Sequence, residues 1–250
     1  MAVIALTLVA SAACGTTETP VVAPPSTPAA TAPPVTRDEA ADQQIARDAL
    51  LQVDDLPGTW NETKRSLSSE AEPSTTDSPI ETCPEAKALA HDLGIDKTPK
   101  AVSAKSSKFD DGGGLSSQVD ETVEITATVD EATSMANVFG DDAMLDCVKA
   151  ALEEAFTKDP SKTITVDASK IKVERSKVGK LGDDHAVFLI TLPMTSKGLS
   201  ISVTAVVAFV RVGRGYVNLS YVSPLGVDMD KDVMPILTIA AQKLKKAQQN

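Results

Sequence analysis

Aromatic residues are scarce. Five Phe, two Tyr and one Trp amount to 3% of 250 residues. So few rings leave no stacking platform for bases or sugars. There are only two histidines, and the three cysteines, Cys14, Cys83 and Cys147, show no CxxC spacing, so no zinc site is expected. Basic residues are outnumbered, with 24 Lys and Arg against 35 Asp and Glu, which gives a formal net charge of −11. An acidic surface without a basic stripe repels phosphate backbones, so no nucleic-acid partner is expected. No serine stands in a GxSxG elbow. Asp110-Asp111-Gly112-Gly113-Gly114 lacks the DxDxDG spacing and distal Glu of a calcium loop and reads as a hairpin turn. Gly213-Arg214-Gly215 is too short for a phosphate loop. His185, following Asp183-Asp184, is the nearest approach to a carboxylate-oriented base, and it reads instead as a residue at a strand edge. The expectation is a protein that is not an enzyme and needs no cofactor and no metal.

The N-terminus is where the sequence is specific about location. Ala2 to Ala13 is uncharged and mostly apolar, and Cys14-Gly15 follows. Ser11-Ala12-Ala13-Cys14 resembles the lipobox of a bacterial lipoprotein signal peptide, in which the Cys thiol takes a diacylglycerol before cleavage makes it the new N-terminus. Ser11 stands where such signals prefer an aliphatic residue, and no Lys or Arg precedes the apolar run. We therefore expect Met1 not to be the true start. Cleavage without lipidation of Cys14 is the alternative. The apolar run is too short to span a bilayer as a stable helix. The stretch from Gly15 onward is rich in Pro, Thr, Ala and Ser, cannot bury a core, and reads as an extended tether. The expected division is a signal peptide over 1–13, a tether over 14–36 and a single domain over 37–250.

Within the domain, Thr36 and Glu39 form a capping-box pattern for a helix from Arg37 to about Gln52. Asp55-Leu56-Pro57-Gly58 turns the chain and presents Trp60, read as a core plug with a ligand groove as the alternative. Residues 67–81 read as a loop. Thr82 and Pro84 open a short helix carrying Cys83, Ala86, Leu89 and Ala90. Strands are expected at Ala101–Phe109 and Ser116–Val129, with Val119, Val123 and Ile125 in phase. Asp130 to Phe156 reads as a helix that Gly140 divides in two. Ile164 and Val166 begin a strand whose phase slips between Ala168 and Ile171. Asp183 to Ser223 then reads as three antiparallel strands joined at Lys197-Gly198 and Gly213-Arg214-Gly215. In the middle strand Ile201, Val203, Ala205, Val207 and Phe209 point one way, and Ser202 and Thr204 point the other. Asp230 to Gln249 is an amphipathic helix with Val233, Ile236, Leu237, Ala240 and Leu244 along one stripe.

If Cys14 is lipidated or removed, Cys83 and Cys147 are the only cysteines left to pair. In an exported chain that arithmetic points to a disulfide, two unpaired buried thiols being the alternative.

The lipobox and tether, LLQVDDLPGTW, the two helix cysteines, VGKLGDDHAVFLIT, VVAFVRVGRGYVNLSYV and the amphipathic end together resemble exported actinobacterial lipoproteins. They are similar to the extracellular sensor domains of mycobacterial PknH-type serine/threonine kinases, over about Asp38 to Gln248. The resemblance implies an α+β fold with a curved antiparallel sheet, helices, a cleft and disulfides. Those domains carry two disulfides, whereas this chain has cysteines for one. Combined with the pattern above, it sets the expectation of about five to six strands with helices packed on one face of the sheet. The functional expectation is a non-catalytic, sensor-like binding module held at the outer face of the cytoplasmic membrane by a lipid on Cys14, with a small-molecule, lipid or protein ligand. Trp60 and Phe188 are the candidate ligand-contacting residues. A lipid or glycolipid carrier with a large apolar cavity, and a structural envelope assembly factor, are the alternatives.

Overall fold

The computed structural model describes residues 37–63, 84–94, 101–112, 116–158, 164–196 and 198–250, and Arg37–Asn250 forms one compact unit. Helix α1 (Glu39–Asp48) starts at Asp38, whose side chain accepts the Ala41 N–H. The cap is thus Asp38 rather than Thr36, which lies outside the described residues together with the expected loop at 67–81. The helix is also shorter than the sequence suggests. It ends at Asp48, and a separate 3₁₀ turn, Val53–Asp55, follows.

Strand β1 (Asn61–Thr63) and helix α2 (Pro84–Asp92) come next. The run expected as one strand from Ala101 is two, β2 (Val102–Lys105) and β3 (Lys108–Asp110), which lie end to end along one edge of β4 (Gln118–Ile125). Helices α3 (Val129–Gly140) and α4 (Ala143–Lys158) follow, divided at Gly140 as the sequence indicates. The phase slip near Ala168 is a 3₁₀ turn, Ala168–Lys170, that separates β5 (Ile164–Val166) from β6 (Lys172–Arg175). The three long strands are β7 (Asp184–Ser196), β8 (Leu199–Val212) and β9 (Gly215–Ser223). A π turn, Met229–Val233, leads into the final helix α5 (Met234–Ala247).

The strands form one antiparallel sheet of nine, ordered β1-β3-β4-β9-β8-β7-β5, with β2 also on β4 and β6 also on β7. The α+β class is as expected. The strand number exceeds the expected five to six because each of two runs is broken in the middle and because β1 joins the edge.

The layering departs from expectation more sharply. Neighbouring residues of a strand face opposite sides of the sheet, and both sides carry helices. Val187, Val206, Ala208, Val210, Val217 and Leu219 pack with Ala46 of α1, with Ala49 just after it, and with Ile236, Leu237, Ala240 and Leu244 of α5. Ala186, Phe188, Phe209 and Tyr216, on the opposite side, pack with Ala90 of α2, Val138 and Phe139 of α3, and Met144 and Cys147 of α4. Helices on one face only is therefore corrected to helices on both. The physical reason is that β7 and β8 are apolar at both parities where they lie side by side, and Tyr216 of β9 adds a ring to the second face, so neither face is stable open to water.

Candidate functional site

The two sequence-selected aromatics do not meet. Trp60 is half-buried at the edge of the α1–α5 layer, edge-on to Tyr221 at 6.3 Å, and its indole N–H donates to the Pro57 carbonyl at 2.9 Å. Phe188 is 2% exposed on the opposite face of the sheet, with the Arg175 guanidinium 5.5 Å from its ring centre. The same Arg175 donates to the carbonyls of Gly140 and Asp141, both at 2.8 Å, and so closes the C-terminal end of α3 where the helix dipole favours a cation. Both rings are engaged in packing, and they line no shared cleft.

The polar groups gather instead at the end of the sheet where β7 begins and β8 turns into β9. Asp184 receives two Arg211 nitrogens at 2.6 Å each. Asp183 accepts the Gly213 N–H at 2.7 Å and stands 3.6 Å from Arg211. On the helix side, Gln248 donates to the Val212 carbonyl at 2.7 Å. The segments VGKLGDDHAVFLIT and VVAFVRVGRGYVNLSYV, singled out separately in the sequence, are thus brought together at this rim.

Two cavities open on it, and Asp183 lines both. One, of about 520 Å³, is bordered by Lys180, Gly213, Gln242, Lys245 and Gln248. The other, of about 530 Å³, is bordered by Asn137, Gly140, Asp141, Asp184 and His185. His185 sits on β7 opposite Val210, on a stretch whose outer side neither β5 nor β6 covers, in keeping with an edge residue. The aspartates beside it in sequence are turned toward Arg211 and the Gly213 amide and do not orient its ring. Among the described residues no group of three His, Cys, Asp or Glu side chains is placed to hold a metal ion. Asp110 closes its own turn, accepting from Gly112 N–H and from the Thr63 hydroxyl. These bonds hold its carboxyl below the ordinary value.

Gly182 sets the geometry of the rim. Its φ is +57°, and a Cβ there would lie 2.2 Å from the Arg211 carbonyl oxygen. That carbonyl already accepts the Asp183 N–H at 2.8 Å, so it is not free to move away. Gly182→Ala is expected to destabilise the protein by about 2 kcal/mol or more. Gly179→Ala, at a position with open space around it, should stay within about 0.5 kcal/mol of wild type. Urea midpoints of the two variants check this, and equal midpoints would mean that the chain does not close over Arg211 as described.

Sequence reasoning missed two groups. Asp42 is 2% exposed and paired with both Arg37 and Arg214. Glu121 is 1% exposed on the core face of β4. The second had a visible signal, since Glu121 falls in phase between Val119 and Val123. Asp42 had none, because Arg214 is 172 residues away.

The fold and rim describe an α+β domain with a cluster of charged and polar groups at one end of its sheet. No family model matches the chain, and no curated protein matches it. Among solved structures it is similar to the extracellular domain of PknH from Mycobacterium tuberculosis, with 12% sequence identity over 83% of this chain and 97% of that one, at a TM-score of 0.41. A likeness at that level carries no conclusion about function.

Proposed function

We propose that this protein is an extracytoplasmic, sensor-like binding module without catalytic activity, tethered to the outer face of the cytoplasmic membrane by a lipid on Cys14. The lipobox-like Ser11-Ala12-Ala13-Cys14 and the Pro/Thr-rich tether support the location. The binding role rests on the rim around Asp183. Of two adjacent cavities, the one of about 520 Å³ sets lysines around a more apolar lining and the one of about 530 Å³ has a mostly polar lining that carries aspartates, a surface suited to a small ligand with polar groups or to polar side chains of a partner. Arg211 occupies the carboxylates that an acid–base role for His185 would need.

One observation favours the lipid-carrier reading as the alternative. Leu199, Ile201 and Val207 lie on one face of β8 and are 71%, 36% and 37% exposed, an apolar stripe that an acyl chain would cover. Both cavities open on the charged rim and the second is mostly polar, which is why the carrier stands second.

Cys147 is 6% exposed in the α2–α4 layer, beside Ala90 of α2. Cys83 lies outside the described residues, one position before α2 begins. A Cys83–Cys147 disulfide follows as a proposal. It would close a loop of about 64 residues and contribute roughly 4 kcal/mol on the chain-entropy model.

Mass spectrometry of the full chain, expressed in an actinobacterial host and extracted from membranes, tests these statements together. The expected species begins at Cys14, carries a diacylglycerol, and is lighter by two hydrogens than the reduced chain. Cys14→Ala should appear in the soluble fraction. An unmodified Cys14 in a membrane-free protein would end the anchor, two free thiols would end the staple, and a co-purifying lipid mass would move the assignment to a carrier.

A further inference from the structure

Glu121 is a carboxyl in the floor of the larger core. It lies on β4 opposite Leu219, with Val119 and Val123 on either side along the same face. Its backbone is fixed from both directions. Its N–H donates to Ser106 Oγ at 2.9 Å, and its carbonyl accepts the Ser106 N–H at 2.9 Å. The side chain reaches toward the connector between α1 and the 3₁₀ turn, where Oε1 accepts the Leu51 N–H. Oε2 has no hydrogen-bond partner among the described residues.

The connector depends on this contact. Leu51 and Leu56 are buried in the same core, 2% and 5% exposed. The connector's other polar tie is Asp55, which accepts from Lys243 of α5 at 2.6 Å. Lys243 and Asp55 are the charges that act on Glu121, and they do so with opposite signs, so neither supplies a strong net counter-charge. Tyr221, diagonal to Glu121 on β9, is held above 10.0 chiefly by burial and titrates outside the range that concerns Glu121.

The neutral carboxyl fits this site, because one oxygen is satisfied by an amide and no net charge is buried. The carboxylate does not fit. It places a full negative charge against one N–H and a lysine already bound to Asp55, and the closed structure gives its second oxygen no donor. Opening the connector exposes the carboxylate to water and frees Lys243 to pair with it.

We propose that Glu121 is an acid-tightened latch: protonated, it holds the Ala49–Asp55 connector against β4, and ionised, it lets the connector lift from the sheet. The sign follows from linkage. Burial, opposed by the Leu51 hydrogen bond, raises the Glu121 pKa from 4.5 to about 7 in the closed form. The open form, with Glu121 in water, ionises near the ordinary value. Opening is therefore least frequent below pH 4.5, rises about tenfold per pH unit through the interval, and levels off above pH 7, a total change on the order of 100-fold. This inference concerns the fold and does not rest on membrane anchoring.

Amide hydrogen exchange at Leu51 in the full chain, corrected for the intrinsic pH dependence of exchange, reads the opening directly. Wild type should lose protection on the order of 100-fold between pH 4.5 and 7, while Glu121→Gln should show a flat profile. A flat wild-type profile, or the same slope in Glu121→Gln, overturns the latch. Should Glu121→Gln fail to fold, carbon-13 NMR titration of the Glu121 carboxyl in wild type decides: a midpoint near 7 upholds the proposal and one near 4.5 overturns it.

Discussion

Phe209→Ala is expected to cost about 4 kcal/mol of stability, near the upper end for a buried aromatic. Phe209 is 1% exposed and stacks on Phe139 of α3 with ring centres 4.5 Å apart, while Tyr216 of β9 lies tilted against it at 4.9 Å. It is the ring through which the α2–α4 layer grips the sheet. That layer has a smaller apolar core than the α1–α5 side, so one lost ring is a larger share of it. The damage would spread to a polar group. Tyr216 donates its hydroxyl to Glu124 at 2.7 Å, and a cavity beside the ring would admit water to that bond. Val207→Ala, two residues away on the same face but 37% exposed, is the matched control and should cost under about 1 kcal/mol. Urea unfolding followed by circular dichroism measures both. Similar small losses for the two variants would show that α3 does not pack on this face.

The contrast between Phe209 and Val207 also shows what a strand's alternation reveals. The phase of β8 was legible, since Ile201, Val203, Ala205, Val207 and Phe209 do share a face. Which face carries the larger core was not. Ser202 and Thr204 mark the even positions as polar, but that holds only at the start of β8, where the strand reaches the end of its pairing with β9 at Thr204. Further along, Val206, Ala208 and Val210 are fully buried and belong to the larger core. Alternation states which residues go together, and only the neighbouring strands decide what covers them. The same limit explains Trp60 and Phe188, two large rings that sequence offers as candidate ligand contacts and topology places on opposite faces. Glu121 shows the converse failure. Its position in phase with Val119 and Val123 was visible, but a charged residue inside an apolar stripe is easily passed over as a surface residue. The rim needed three dimensions altogether, because it joins Gly182–Asp184 to the β8–β9 turn and the far end of α5.

Asp42→Asn should destabilise the protein by about 3 kcal/mol at pH 7, and the loss should fade in acid. Asp42 sits inside α1, 2% exposed, between two arginines. Arg37 Nε donates to one of its oxygens at 2.7 Å, and Arg214 donates to the other. Each arginine is also tied to the sheet, Arg37 to the Ile125 carbonyl at 2.6 Å and Arg214 to the Thr126 carbonyl at 2.9 Å. The carboxylate thus links α1 to the end of β4 and to the β8–β9 turn. Asparagine keeps the shape but leaves two guanidinium groups facing one another without the charge between them, and breaking such a group is costly because its other members stay desolvated. Burial alone would raise the Asp42 pKa, but the hydrogen bonds and charges of Arg214 and Arg37 outweigh it and hold the carboxyl below 3.8. A depressed carboxyl stabilises the fold above its unfolded value and loses that contribution as pH falls through its folded value. The wild-type advantage should therefore be constant from pH 7 down to about 4 and shrink only below that. This is the opposite sense to Glu121, whose contribution weakens as pH rises. The two carboxyls bind α1 and its connector from opposite ends of the pH scale, so this end of the domain should be held most firmly near pH 4 to 5, where Asp42 is still charged and Glu121 is already neutral. Thermal unfolding of wild type, Asp42→Asn and Glu121→Gln across pH 3 to 8 separates the two. A difference between wild type and Asp42→Asn that stays unchanged below pH 4 would show that the loss comes from packing and not from the charge.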